Sequence, residues 1–168
     1  MKKIQLLKII CLSLVLVSIG CKKAAESGEP EEAEAVFDIA KAKADVEAGY
    51  VEFEKAFNAK DTVALAQCYA SDAKFMPAND KAVSGRASIQ KTFGMWFQGD
   101  MPQIDLQLLD VWGDADHLTV ENSWTMTDQS GKVVDQGKAL EVYKMEDGKW
   151  KILRDCFNSD LPPVPPAK

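Results

Sequence analysis

Two acids near the C-terminal end stand where they could work together. In the run from Lys149 to Phe157, strand alternation sets Leu153, Asp155 and Phe157 on one face, with Arg154 and Cys156 on the other. In the run before it, Ala139, Glu141 and Tyr143 share a face. If the two faces coincide, Glu141 and Asp155 meet. Two carboxylates in an apolar setting do not both ionise easily, so one pKa rises. A pair divided in this way can serve as general acid and general base. The plainer alternative is that each acid caps a backbone group or pairs with Arg86, Arg154 or Lys138.

A second group is suited to binding. Asn122 and Trp124 share a face of another alternating run, and an indole beside an amide is either a ligand platform or simply core. The aromatic residues Tyr50, Phe53, Phe57, Phe93, Trp96 and Phe97 should build a helix–sheet core and line any cavity inside it. Tyr50, Phe53, Met76, Phe93, Asn122, Trp124 and Phe157 are the candidate ligand-binding set, and Glu141 and Asp155 the candidate catalytic pair. Asp72 and Arg86 are expected to form an ion pair. His117 beside Asp114 and Asp116 reads as a solvated turn rather than a metal site. With one histidine and no CxxC, the four ligands of a structural zinc site are missing.

The elements that must position these residues divide into two kinds. Ile39, Val46, Tyr50, Phe53 and Phe57 form one stripe of a helix. Asp61 caps a second, short helix with Leu65 and Tyr69 on its apolar side. Lys74 to Met76 is a short strand stopped by Pro77, and Gly85-Arg86 opens a third helix carrying Ile89, Phe93, Trp96 and Phe97. From Gln103 onward the pattern changes. Gln103 to Trp112, Leu118 to Thr127, Val133 to Met145 and Lys149 to Phe157 read as strands joined by short turns rich in Gly and Asp. The expected fold class is α+β, a cone-shaped curved antiparallel sheet with three N-terminal helices enclosing a cavity.

The flanks read differently. The chain has 168 residues and a formal charge of -6, so its surface does not suit non-specific nucleic-acid binding. Residues 1–20 carry Lys2, Lys3 and Lys8 before an apolar stretch from Ile9 to Ile19, the pattern of a secretion signal. The stretch ends in Val17-Ser18-Ile19-Gly20-Cys21, which resembles a bacterial lipoprotein box and implies lipid on Cys21. Residues 21–37 hold five glutamates with Gly28 and Pro30 and read as an acidic tether. Residues 161–168 are a Pro-rich tail. Cys68 and Cys156 remain in the domain at 38–160, as a disulfide or as two free thiols.

Four short motifs fall in order along that domain: Asn58-Ala59-Lys60-Asp61, Tyr69-Ala70-Ser71-Asp72-Ala73, Gly85-Arg86-Ala87-Ser88-Ile89 and Gly148-Lys149-Trp150-Lys151-Ile152. Together they resemble the ketosteroid-isomerase-like superfamily of the nuclear transport factor 2 fold, with its SnoaL-like and DUF4440-type members. The resemblance implies that the Asp155 face looks inward. It also implies that the isomerase general base falls on Pro77, beside Met76, and the oxyanion-binding tyrosine near Phe53. None of these three can fill its role. The buried acid of the third long strand falls near Glu141, which can.

The expected function is therefore an envelope lipoprotein, lipid-anchored to the membrane on its periplasmic or surface side. Its cavity would bind a small apolar or aromatic molecule, and the isomerase machinery would be lost. The alternatives are a SnoaL-like acid–base enzyme of isomerase or lyase type on a carbonyl substrate, and a dimerising interaction module. No phosphate-binding glycine loop supports a nucleotide cofactor, and no cofactor is expected. The expected partners are a small-molecule ligand, the membrane through Cys21, and a second copy in a homodimer, with no nucleic acid.

Overall fold

A computed structural model describes residues 37–162. The signal segment, Cys21, nearly all of the tether and residues 163–168 of the Pro-rich tail lie outside the described residues. Helix α1 spans Ile39–Asn58. It starts at Asp38, whose carboxylate accepts from the backbone N–H groups of Ala40 and Lys41, donors that would otherwise lack partners in the first turn. Its buried stripe is Ala42, Val46, Tyr50, Phe53 and Phe57. Ile39, expected at the head of that stripe, is exposed because it lies in the first turn, ahead of the packed face. Helix α2, Thr62–Gln67, is capped by Asp61 in the same way.

Tyr69 departs from the expected helix. Its spacing from Leu65 fits a helical face, but the helix stops at Gln67 and strand β1 runs Tyr69–Met76. Strand β2, Val83–Ser84, pairs with β1, and helix α3, Arg86–Trp96, follows. Gly85 opens α3 with φ 84°, a value that favours glycine. The third helix thus follows β1, the order read from the strand at Lys74 to Met76 and the helix opening at Gly85-Arg86, with the short β2 between them.

Four long strands form a meander: β3 Gln103–Gly113, β4 His117–Thr127, β5 Val133–Glu146 and β6 Lys149–Ser159. Asp147 and Gly148 link the last two, both at positive φ, as a two-residue turn between twisted strands requires. The sheet has six strands in the order β2-β1-β6-β5-β4-β3. It is mixed rather than wholly antiparallel, because β1 lies parallel to β6. Such a pair needs a long crossover, and α3 with the meander supplies it. Helix α1 packs on β3 and β6, and α3 packs on β1.

Burial along β4 alternates, with Leu118, Val120, Asn122 and Trp124 turned into the core. In β6 the register against β5 shifts between Tyr143 and Val142. That irregularity leaves Ile152 and Asp155 as the buried residues, whereas strict alternation had put Leu153 with Asp155.

Candidate functional site

The register of β5 against β6 sets Glu141 directly opposite Asp155. Both are buried, at 6% and 5% exposure. The expected meeting of the two acids is thus present in the geometry. None of the three suggested cations reaches them. Arg86 pairs with Glu146, Lys138 pairs with Asp160, and Arg154 donates to the carbonyls of Leu153 and Asp72. The expected Asp72–Arg86 pair is also replaced, since Asp72 takes Lys144. Arg86 is held instead by Glu146 and by the Tyr69 carbonyl.

Tyrosines serve the acids in place of cations. Glu141 Oε2 accepts from the hydroxyls of Tyr143 at 2.9 Å and Tyr50 at 3.2 Å. Asn122 Nδ2 donates to the Tyr50 oxygen at 2.9 Å. Asp155 Oδ2 accepts from the Tyr69 hydroxyl at 2.6 Å. Burial is the main force on Glu141, and the Asp155 carboxylate adds to it, so its pKa is pushed up to about 8 against the pull of these donors. Burial also raises Asp155, to about 6, while the Tyr69 bond holds it down. The acids titrate as a pair, and near neutral pH one proton resides mainly on Glu141. Because Oε2 already accepts two O–H groups, that proton belongs on Oε1. Burial raises the three tyrosine hydroxyls as well, so they stay neutral donors.

The acids form one wall of a cavity of about 60 Å³. Of the expected ligand-binding residues, Phe53, Phe93, Asn122, Trp124 and Phe157 line it. Tyr50 does not; its hydroxyl supports Glu141 from behind. Met76 is also displaced, because alternation along β1 points Phe75 inward in its stead. Missed by the sequence reading were Tyr69, read as helical, and the aliphatic lining from Ile104, Leu106 and Met126. Alternation of apolar Ile104 and Leu106 with polar Gln103, Asp105 and Gln107 was the available signal for the last group. Phe53 carries no hydroxyl at the expected tyrosine position, yet Tyr50, one turn earlier on the same helix face, brings one to Glu141.

Two polar atoms of this wall are buried without a hydrogen-bond partner, Asn122 Oδ1 and Trp124 Nε1. Trp124 is held by a specific device. Gly137 stands opposite it on β5, and a Cβ there would overlap the indole ring and the Asn158 carbonyl. Glycine lets the ring lie on the strand, with Phe157 packed edge-on at 6.3 Å.

A larger groove of about 220 Å³ lies outside, between α1 and the β5–β6 turn. Its rim charges satisfy one another through Lys41–Asp45 and Lys149–Glu52, and Lys151 donates to the Gln67 carbonyl. The two buried acids line the inner cavity and not this groove. Cys68 and Cys156 are free thiols, and burial raises the Cys68 thiol to about 11, which keeps it unreactive. Among the described residues no cluster around His117 or elsewhere could hold a metal ion.

Helices packed on a curved, unclosed mixed sheet are the fold of solved structures described as nuclear transport factor 2-like and cystatin-like. The SnoaL-like domain model matches residues 50–152, and the chain belongs to that family. The family holds ligand-binding and isomerase-like proteins. Among solved structures, a ketosteroid isomerase-like protein from Erwinia carotovora atroseptica is similar at 22% identity and TM-score 0.59, over 71% of this chain and 96% of that one. A Nostoc punctiforme protein of unknown function with a cystatin-like fold is similar at 16% identity and TM-score 0.65, over 73% and 93%. A function-unknown protein from Mycobacterium tuberculosis is similar at 17% identity and TM-score 0.62, over 73% of each chain. At these identities the likeness is one of fold. No curated protein matches the chain.

Proposed function

We propose that this protein is an envelope lipoprotein, anchored through lipid on Cys21, whose cup binds a small apolar or aromatic molecule without transforming it. The observation that carries the binding reading is the inner cavity, aromatic on most sides and polar on the Glu141–Asp155 wall. Burying two acids costs stability, and an apolar wall would pack at lower cost, so the polar wall suits recognition. The family resemblance puts Pro77, which cannot accept a proton, at the isomerase base position, and this supports binding over turnover. The anchor is supported by the signal pattern before Cys21. A homodimer is supported by the outer sheet face, where Trp112 and Leu140 are exposed.

Native mass spectrometry of the protein purified from a bacterial envelope tests the proposal. A mass above that of the lipidated polypeptide, lost on denaturation, is the expected result. A bare dimer would oppose a tight binder and favour the interaction module. The second reading is acid–base catalysis, favoured by the divided pair, with Asp155 as base and Glu141 as acid. It requires that Glu141→Gln and Asp155→Asn each abolish turnover while leaving affinity in place.

A further inference from the structure

Resting on the binding reading, we infer that the ligand presents a hydroxyl group to the cup and seats it between Trp124 and Asn122. Trp124 Nε1 can only donate and Asn122 Oδ1 can only accept. The side chains of both residues line the cavity, both atoms lack a partner, and the residues are 6% and 1% exposed. The amide cannot escape by turning over. Its Nδ2 donates to the Tyr50 oxygen, and the Tyr50 hydroxyl is already committed as donor to Glu141. The indole cannot swing away either, because it is fitted against Gly137 and Phe157. Asn122 and Trp124 are alternate residues on one strand face, with backbones roughly 7 Å apart. A hydroxyl seated within reach of both would satisfy them together, its oxygen accepting from the indole and its proton donated to the amide oxygen. A carbonyl would answer the indole alone, and an ammonium the amide alone.

The remainder of the cavity describes the rest of the molecule. A volume of about 60 Å³ admits the hydroxyl and the leading edge of a ring. Trp96, Ile104, Leu106, Met126 and Phe157 are the half-buried members of the lining, and they form an apolar mouth for the ring body. The chemical class is a compact phenol or an alcohol on an apolar frame.

The test is titration of the full-length protein with phenol and with toluene, near-isosteres that differ in hydroxyl against methyl. A purely apolar pocket favours toluene, the more hydrophobic of the two. The expected result is that phenol binds at least about tenfold more tightly, the equivalent of one net hydrogen bond. The phenol complex should also shift the Trp124 indole N–H resonance, whereas toluene should leave its hydrogen-bond shift unchanged. In Trp124→Phe the preference should fall to about threefold or less. If that variant does not fold, the indole resonance of the wild-type protein decides alone. Equal binding of the two probes overturns the hydroxyl inference and leaves the apolar cup standing. Binding of neither overturns both the inference and the reading beneath it.

Discussion

Replacing Glu141 with glutamine should flatten the pH dependence of stability between pH 6 and pH 8. In the folded protein, burial and the facing Asp155 raise the Glu141 pKa from 4.5 to about 8. The unfolded chain releases that proton near 4.5, while the folded chain keeps it until about 8. Between those values the native state binds more protons, so stability must fall as pH rises. It is fully present below the unfolded pKa and lost through the folded one. Each pKa unit is worth about 1.4 kcal/mol, so the loss is on the order of several kcal/mol, shared within the coupled pair. Asp155 contributes at lower pH, where its own pKa rises from 3.8 to about 6. Glutamine keeps an oxygen for Tyr50 and Tyr143 but carries no titratable proton. Urea unfolding at half-unit steps from pH 5 to pH 9 should show wild-type stability declining across this window and the variant nearly level above about pH 7, once Asp155 has titrated. Parallel slopes for the two proteins would refute the reasoning.

Further outcomes follow from the same geometry. Gly137→Ala puts a methyl group into the Trp124 ring and the Asn158 carbonyl, and should destabilise by about 1–3 kcal/mol with loss of the near-ultraviolet circular dichroism of the indole. Tyr69→Phe removes the donor that holds Asp155 down; the Asp155 pKa, followed by carboxyl NMR, should rise, and stability should drop by about 1–3 kcal/mol. Glu146 is held low, at about 2, chiefly by the Ser71 backbone N–H, with the Ser71 hydroxyl and Arg86 adding to it. Its stabilising share is present above the ordinary carboxylate pKa and is lost as pH falls toward 2. Glu146→Gln should therefore cost about 1–3 kcal/mol in chemical denaturation at pH 7, and the deficit should narrow on acidification.

The elements that announce themselves locally were readable from the residues. The α1 stripe, the Asp61 cap and the turns of the meander each rest on neighbours close in sequence. So did the sharing of a face by Glu141 and Asp155, because both belong to adjacent strands of one hairpin. The parallel seam of β1 with β6 was not legible, since it joins residues some eighty apart with no local signature. Tyr69 was misplaced because one apolar residue four after Leu65 satisfies a helix equally well, while the end of α2 at Gln67 depends on the pairing of β1 with β6. Leu153 was misassigned because a bulge is a property of two strands together. The partners of the acids were missed for a related reason. Charge suggested arginines and lysines, but a buried wall accepts tyrosines at lower desolvation cost.

The most direct test of the central claim is a carboxyl carbon NMR titration of Glu141 and Asp155 in the protein with and without phenol. The account predicts two coupled carboxyls that titrate well above their ordinary range and move when the cup is filled. Two carboxyls that titrate near pH 4 and ignore the added molecule would contradict it.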